Sequence, residues 1–250
     1  VFSQLISFFL LLAGVHFSGC IPIRLKNVRF HRERLREIAG GGLPSLFRQG
    51  LGSVATMTLN IAANPYGDAA IAAMSVVSRI FMFAISALIG FGQGFQPVCG
   101  FNYGAKKYGR VREAFWFCVK VSTIFLFALS ILGFLLSGHL IGIFRDDPEV
   151  IRIGTAAVRF QCATLILNGW IVMNNMMTQT MGKTFYASLL ASARQGLFFI
   201  PILLILPRIL GLIGIQSAQA AADLFAFLLS VVLYRKVTAE LNAEEEKQTE

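Results

Sequence analysis

The sequence predicts an all-α integral membrane protein of seven transmembrane helices. Three observations predict it. Apolar residues make up 56% of the 250 residues and charged residues only 14%, against roughly 25% charge in an ordinary soluble domain. Mean hydropathy is +0.67, and Phe alone supplies 23 residues. The 22 Lys and Arg gather between long apolar runs, so the net charge of +9 follows the pattern of membrane loops and not that of a nucleic-acid surface. A soluble enzyme, a nucleic-acid-binding domain and a disordered chain are excluded, because each needs more polar surface than these residues provide.

A hydrocarbon layer ~30 Å thick needs about 20 apolar residues per helix. Seven segments qualify: 1–23, 43–63, 69–101, 114–137, 155–177, 187–206 and 210–234. The first opens in mid-run with no Met and no basic stretch ahead of it, so it reads as a span of a longer chain and not as a signal peptide. Residues 24–42 are a basic linker mixing Leu25, Val28, Leu35 and Ile38 with arginines. They read either as a solvated loop or as an interfacial helix on anionic lipid. Gly40-Gly41-Gly42 reads as a hinge, and Pro44 suits the first turn of span 2. Span 3 carries Arg79 as its only charge, and at ~1.5 Å per residue its end should project beyond the lipid. The loops after spans 1, 3, 5 and 7 hold Arg24 to Arg36, Lys106, Lys107, Arg110, Arg112, Lys183, Arg235 and Lys236, while the other side holds only Arg145, Arg152 and Arg208. The positive-inside rule then places residue 1 outside and the charged tail, 237–250, in the cytoplasm.

Little points to chemistry. Cys20, Cys99, Cys118 and Cys162 have no metal-binding spacing and read as small hydrophobes within helices, and His16, His31 and His139 are scattered. No Walker motif, G-x-S-x-G or H-E-x-x-H occurs. The expectation is a non-enzyme with no cofactor and no metal, driven by an ion gradient or by another subunit.

Polar residues inside apolar spans are costly and normally face a bundle interior or water. On span 2, Gln49, Ser53, Thr56 and Asn60 recur at helical spacing; on span 3, Arg79, Met82, Ser86, Gln93 and Gln96; on span 5, Gln161, Thr164, Asn168 and Asn175. Three such stripes predict one shared, water-accessible cavity. Met57, Met82, Met173, Met176, Met177, Phe81, Phe83 and Trp170 would supply soft apolar walls that accept varied ligands. Leu59 and Leu167 take the lipid-facing side. Gly90 and Gly94 form a small-x-x-x-small pair for close helix contact, and Pro97 can bend the helix where it leaves the membrane.

The block Gly92-Gln93-Gly94-Phe95-Gln96-Pro97 followed by Asn102-Tyr103-Gly104-Ala105 resembles the G-x-x-Q-G-x-Q-P…N-Y-G-A signature of multidrug and toxic compound extrusion (MATE) transporters. Arg194 and Pro201 in span 6 and Ala222-Asp223 in span 7 are also similar to that family. The resemblance implies two six-helix lobes, with substrate passing between them and export of organic, often cationic compounds coupled to H⁺ or Na⁺ entry across the plasma membrane. Residues 1–23 would be the last helix of a first lobe, 24–42 the cytoplasmic connection, 43–236 the complete second lobe and 237–250 its tail. The partners implied are small organic substrates, the bilayer and a first lobe of the same chain. Spans 2 and 5 lack the intramembrane acids that some members carry there, which moves the expected coupling carboxylate to the other lobe. A lipid-linked saccharide flippase of the same superfamily is the alternative, with Arg79, Arg159 and Arg194 as its basic residues.

Asp223 is the one carboxylate deep inside a span, and Arg194 lies at matching depth in the preceding one. Consecutive antiparallel helices are neighbours, so the two are expected to pair. The pair serves either to fix spans 6 and 7 or, through protonation of Asp223, to release a bend near Pro201.

Overall fold

The computed structural model describes residues 2–18 and 32–249. They form ten α-helices: α1 (Phe2–Ser18), α2 (Arg32–Ala63), α3 (Asp68–Gly104), α4 (Tyr108–Leu135), α5 (Ser137–Phe144), α6 (Pro148–Leu165), α7 (Leu167–Thr180), α8 (Thr184–Ser192), α9 (Phe199–Leu210) and α10 (Leu212–Thr249). A π-helical segment, Ala193–Phe198, joins α8 to α9. No strand occurs among the described residues. The chain packs as two units, Val1–Ala39 and Gly40–Glu250.

Four stretches are long and apolar enough to cross a bilayer: α3, α4, Thr184–Leu210 and α10 as far as Glu246; the bent pair α6–α7 makes a fifth. The expected seven are not all reached. α2 has the length, but its charged opening and polar stripe lower its hydropathy, and in α1 only the short stretch Gln4–Gly14 is apolar enough to be counted. The chain is a multi-pass membrane protein, and its outer surface agrees: Phe83, Phe101, Phe185, Leu135 and Ile209 are all more than two-thirds exposed.

Three details of the linker and spans depart from expectation. Residues 24–31 of the basic linker lie outside the described residues. From Arg32 the chain is already helical and runs through Gly40-Gly41-Gly42, so Pro44 sits inside α2 and not in its first turn. The chain pays there with one missing bond, because Pro44 cannot donate to the carbonyl of Gly40. α3 likewise continues through Pro97 to Gly104.

The core is built by α3 packing on α4, α6 and α7, and by α10 packing on α6, α7 and α9. Val77, Phe115, Leu126, Val158, Met173 and Met176 are buried in it. Gly92 is where α3 comes closest to α7, since a Cβ there would lie 2.2 Å from Met176 Sδ. Gly90 and Gly94 have nothing within 4 Å. They are exposed, and the close contact assigned to them belongs to Gly92 on the opposite face of the helix. Polar bonds tie the helices further. Ser130 Oγ donates to the carbonyl of Cys162 (2.5 Å), Gln216 Nε2 to that of Ile153 (3.0 Å), and Asn174 Nδ2 to Ser230. The tail is also held: Glu245 accepts from Arg112 at 2.6 Å, and Glu240 pairs with Lys183. These half-exposed pairs contribute little energy, but they bring the basic α3–α4 and α7–α8 turns and the end of α10 to one pole of the lobe.

One span is bent and another carries a π-helical segment, for different local reasons. α6 and α7 meet at 54°. Beside the break Thr164 Oγ1 bonds back to the Gln161 carbonyl, and Gly169 N bonds to Ile166 only three residues earlier. Gly169 also presses α7 onto α4, where a Cβ would sit 3.1 Å from Ser122 Oγ. The π segment lies just before Pro201, whose ring would crowd the carbonyl of Leu197 in a regular helix and which has no N–H to offer it; the wider turn absorbs both.

At the α9–α10 corner the close approach is to backbone. Gly211 has φ +61°, and a Cβ on Gly214 would lie 2.4 Å from the carbonyl oxygen of Leu206, a backbone atom that cannot swing away. Gly214→Ala should therefore destabilise by roughly 2–3 kcal/mol, the upper part of the overpacking range. Gly90→Ala, which meets nothing, should be neutral or slightly stabilising. Thermal unfolding of the two variants in detergent distinguishes them, and equal melting would show that the corner is not close-packed.

Candidate functional site

Polarity in this lobe is arranged in two places, an outward face and a buried cluster. On α2, Gln49, Ser53, Thr56, Met57 and Asn60 are all exposed, and on α3 so are Arg79, Met82, Ser86 and Gln93, with Gln96 half-buried. The hydroxyls there are satisfied locally: Ser53 and Thr56 donate to the carbonyls four residues back, at 3.4 and 3.0 Å. The face therefore needs no protein partner to be stable, only water or a second polar wall.

The span 5 stripe does not join it. Gln161, Asn168 and Asn175 are less than a tenth exposed. Asn175 Nδ2 donates to the carbonyl of Ala187 at 2.7 Å, and Asn168 reaches Asp223. The expected third wall is corrected: the α7 amides serve as bonds inside the lobe, and only the stripes of α2 and α3 remain exposed. Met173, Met176, Met177 and Phe81 are buried in the core, and Trp170 packs among Phe115, Trp116 and Tyr234. Of the expected soft walls, only Met57, Met82 and Phe83 stay exposed. Leu59 is 7% exposed and belongs to the core, and Leu167 is half-buried, so neither faces lipid.

The buried cluster centres on Asp223, which is 3% exposed. Its Oδ1 accepts from Arg194 Nε at 2.8 Å and from Gln219 Nε2 at 3.0 Å, and its Oδ2 accepts from Asn168 Nδ2 at 2.9 Å. Each donor comes from a different setting. Arg194 stands in the π segment, Asn168 two residues past the α6–α7 break, and Gln219 one turn earlier on α10 itself. One carboxylate thus bonds to residues of both the bent α6–α7 pair and the π-containing span. A buried carboxylate is tolerable only with such neutralisation and bonding. Asn168 Oδ1, turned away from Asp223, is buried without a partner. Sequence reasoning missed Gln219, although its i, i+4 spacing to Asp223 signals it. It also placed Asn168 in the cavity instead of at the carboxylate. Pro201 lies at the third residue of α9, immediately beyond the π segment.

The family description MatE matches residues 44–205. The chain belongs to the MatE family. Among curated relatives, this MatE chain is 27% identical over 219 residues to the multidrug export protein MepA of Staphylococcus aureus, covering 87% of the chain and 48% of the relative. The Staphylococcus haemolyticus MepA matches at 27%, covering 86% and 47%. The MatE chain therefore spans about half the length of the curated relatives it matches. In fold it is similar to the Vibrio cholerae MATE transporter VcmN in its bent form, with a TM-score of 0.82 and 18% identity, over 93% of this chain and 53% of that one. An outward-facing multidrug resistance MATE family transporter of the MOP superfamily gives 0.80 and 22%, over 89% and 50%. These relatives are described as exporters, which does not favour the flippase alternative.

Removing one partner of a buried pair leaves the other uncompensated, at roughly 3 kcal/mol. In the MatE lobe Asp223→Asn should lower thermal stability by that order, and Arg194→Gln added to it should recover much of the loss. A double-mutant cycle with no coupling between the two would show that the bond at 2.8 Å contributes nothing.

Proposed function

We propose that this chain is one lobe of a secondary active multidrug exporter that works by alternating access in the plasma membrane. The observation that carries the proposal is the exposed polar stripes of α2 and α3, with Met57 and Met82 exposed among them, on a membrane lobe that spans half the length of export-protein relatives. Such a face suits a water-filled cleft shared with a second lobe, where flexible Met side chains accept organic and often cationic compounds of varied shape. No covalent step is needed; the work is done by binding and by H⁺ or Na⁺ entry. The basic pole at the α3–α4 and α7–α8 turns takes the cytoplasmic side by the positive-inside rule, with the first residue of the chain outside.

In this reading Asp223 with Arg194, Asn168 and Gln219 sets the shape of the two broken spans, so that the half-spans beyond the breaks move as units. The breaks near Ile166 and Pro201 are the hinges. A second role for the cluster is favoured by Asn168 Oδ1, the buried acceptor without a partner. If Asp223 takes up a proton, turning the amide over lets that oxygen accept it and frees Arg194. Coupling would then pass through Asp223 as well as through the other lobe.

The test is ethidium efflux from energised cells. Residues 1–250 joined to a first lobe should export the dye until a protonophore or Na⁺ removal collapses the driving gradient, and residues 1–250 alone should not. Gradient-dependent efflux by the 250 residues alone, or efflux by the joined protein that survives loss of both gradients, contradicts the reading. A folded protein carrying both Asp223→Asn and Arg194→Gln separates the two roles: transport persists if the cluster only fixes shape, and is uncoupled if Asp223 carries protons.

A further inference from the structure

An apolar groove of about 230 Å³ opens between α3, α4, α5 and α6, on the lobe's flank. Phe83, Ala84, Leu132, Leu136, Leu140 and Val158 are among the residues that line it. Phe83, Leu132 and Leu136 are about half exposed or more, so the groove is open along its length. Among the described residues no side chain fills it, and in a bilayer an apolar slot of this kind is filled by hydrocarbon.

What distinguishes it from ordinary lipid-facing surface is a fixed cation beside its lining residues. Arg159 is exposed and directly follows the lining residue Val158. Its guanidinium carbon lies 5.2 Å over the Phe134 ring, and its Nε donates to Ser137 Oγ at 3.2 Å. Those two contacts hold the guanidinium over residues 134–137, against the lining Leu136. Nε is the only nitrogen engaged, so among the described residues the four N–H groups of the two terminal nitrogens have no protein partner. Ser137 follows the end of α4 at Leu135, and the basic α3–α4 turn precedes its start, so Arg159 lies toward the end of the lobe away from the basic pole.

We propose that this groove binds one phospholipid, with an acyl chain along the groove and the phosphodiester on Arg159. The planar guanidinium offers paired N–H donors that match two phosphate oxygens. An anionic headgroup adds net charge complementarity and should be preferred. The bound lipid would brace α4 and α5 against α6, the helix that leads into the 54° break.

Native mass spectrometry of the full-length protein, released from nanodiscs of equal phosphatidylglycerol and phosphatidylcholine, tests this. One phosphatidylglycerol should stay bound to the wild type. Arg159→Gln, which can still reach Ser137, should weaken retention about tenfold, the effect of one charge-assisted bond, and Arg159→Lys should recover part of it. Ala84→Phe, which fills the groove, should also expel the lipid. Single-chain lysophosphatidylglycerol should compete for the site, and chain-free glycerophosphoglycerol should not. Arg159 is exposed and its glutamine variant keeps the fold, so that variant decides the matter even where Ala84→Phe fails to assemble. Wild-type retention in Arg159→Gln, or competition by glycerophosphoglycerol as strong as by the lysolipid, overturns the proposal.

Discussion

The lobe depends on one carboxylate that has nowhere else to go. Asp223 is shut away from water in the middle of α10, and the cost of its charge is offset only by three donors drawn from α10, α7 and the π segment. Because two of those donors stand at helix breaks, satisfying the carboxylate and fixing the direction of the half-spans are the same requirement. A span that breaks inside hydrocarbon exposes backbone polar groups, and it survives only where neighbouring protein satisfies them. Here the breaks are placed beside the strongest acceptor in the lobe.

Around that centre the polar residues divide by helix. The amides of α7 are spent inward, on Asp223, Ala187 and Ser230. Asn60 of α2 and Gln93 of α3 stay exposed. An amide facing lipid would be expensive, so the face formed by Asn60 and Gln93 makes physical sense only against water or a second polar surface. The MatE match and the half-length coverage of the export-protein relatives agree with that requirement. The glycines divide in the same way: Gly92 and Gly169 admit neighbouring helices to the core, while Gly90 and Gly94 lie on the open face.

Much of this was legible in the sequence, because membrane helices declare themselves by length and apolarity. The spans at α3, α4 and α10 are found in place, α3 within three residues at either end, and equal depth in consecutive spans brings Arg194 and Asp223 together on paper. Other features were not legible. Period 3.6 shows that Asn168 and Asn175 share a face, but not whether that face looks into the lobe or away from it, and so the third wall of the cavity was misplaced. Leu59 looked lipid-facing because an apolar residue in a membrane helix suits both lipid and core. The helix break at Ile166 has no proline to announce it. It arises from a side-chain bond at Thr164 and the close approach of Gly169 to α4, both of which need the fold before they exist.

The central claim, that Asp223 holds the broken spans in place, is tested most directly by a distance between spin labels on either side of the clamp. Labels at Ile209, on the far half of the π-broken span, and at Ile124, on the unbroken α4, are both on exposed positions. In a background without native cysteines the wild type should give one narrow distance distribution. Asp223→Leu, in protein still folded by thermal unfolding, should broaden or shift it as α9 loses its anchor. A distribution superimposable on the wild type would mean that the spans keep their shape without the carboxylate, and the account would fail at its centre.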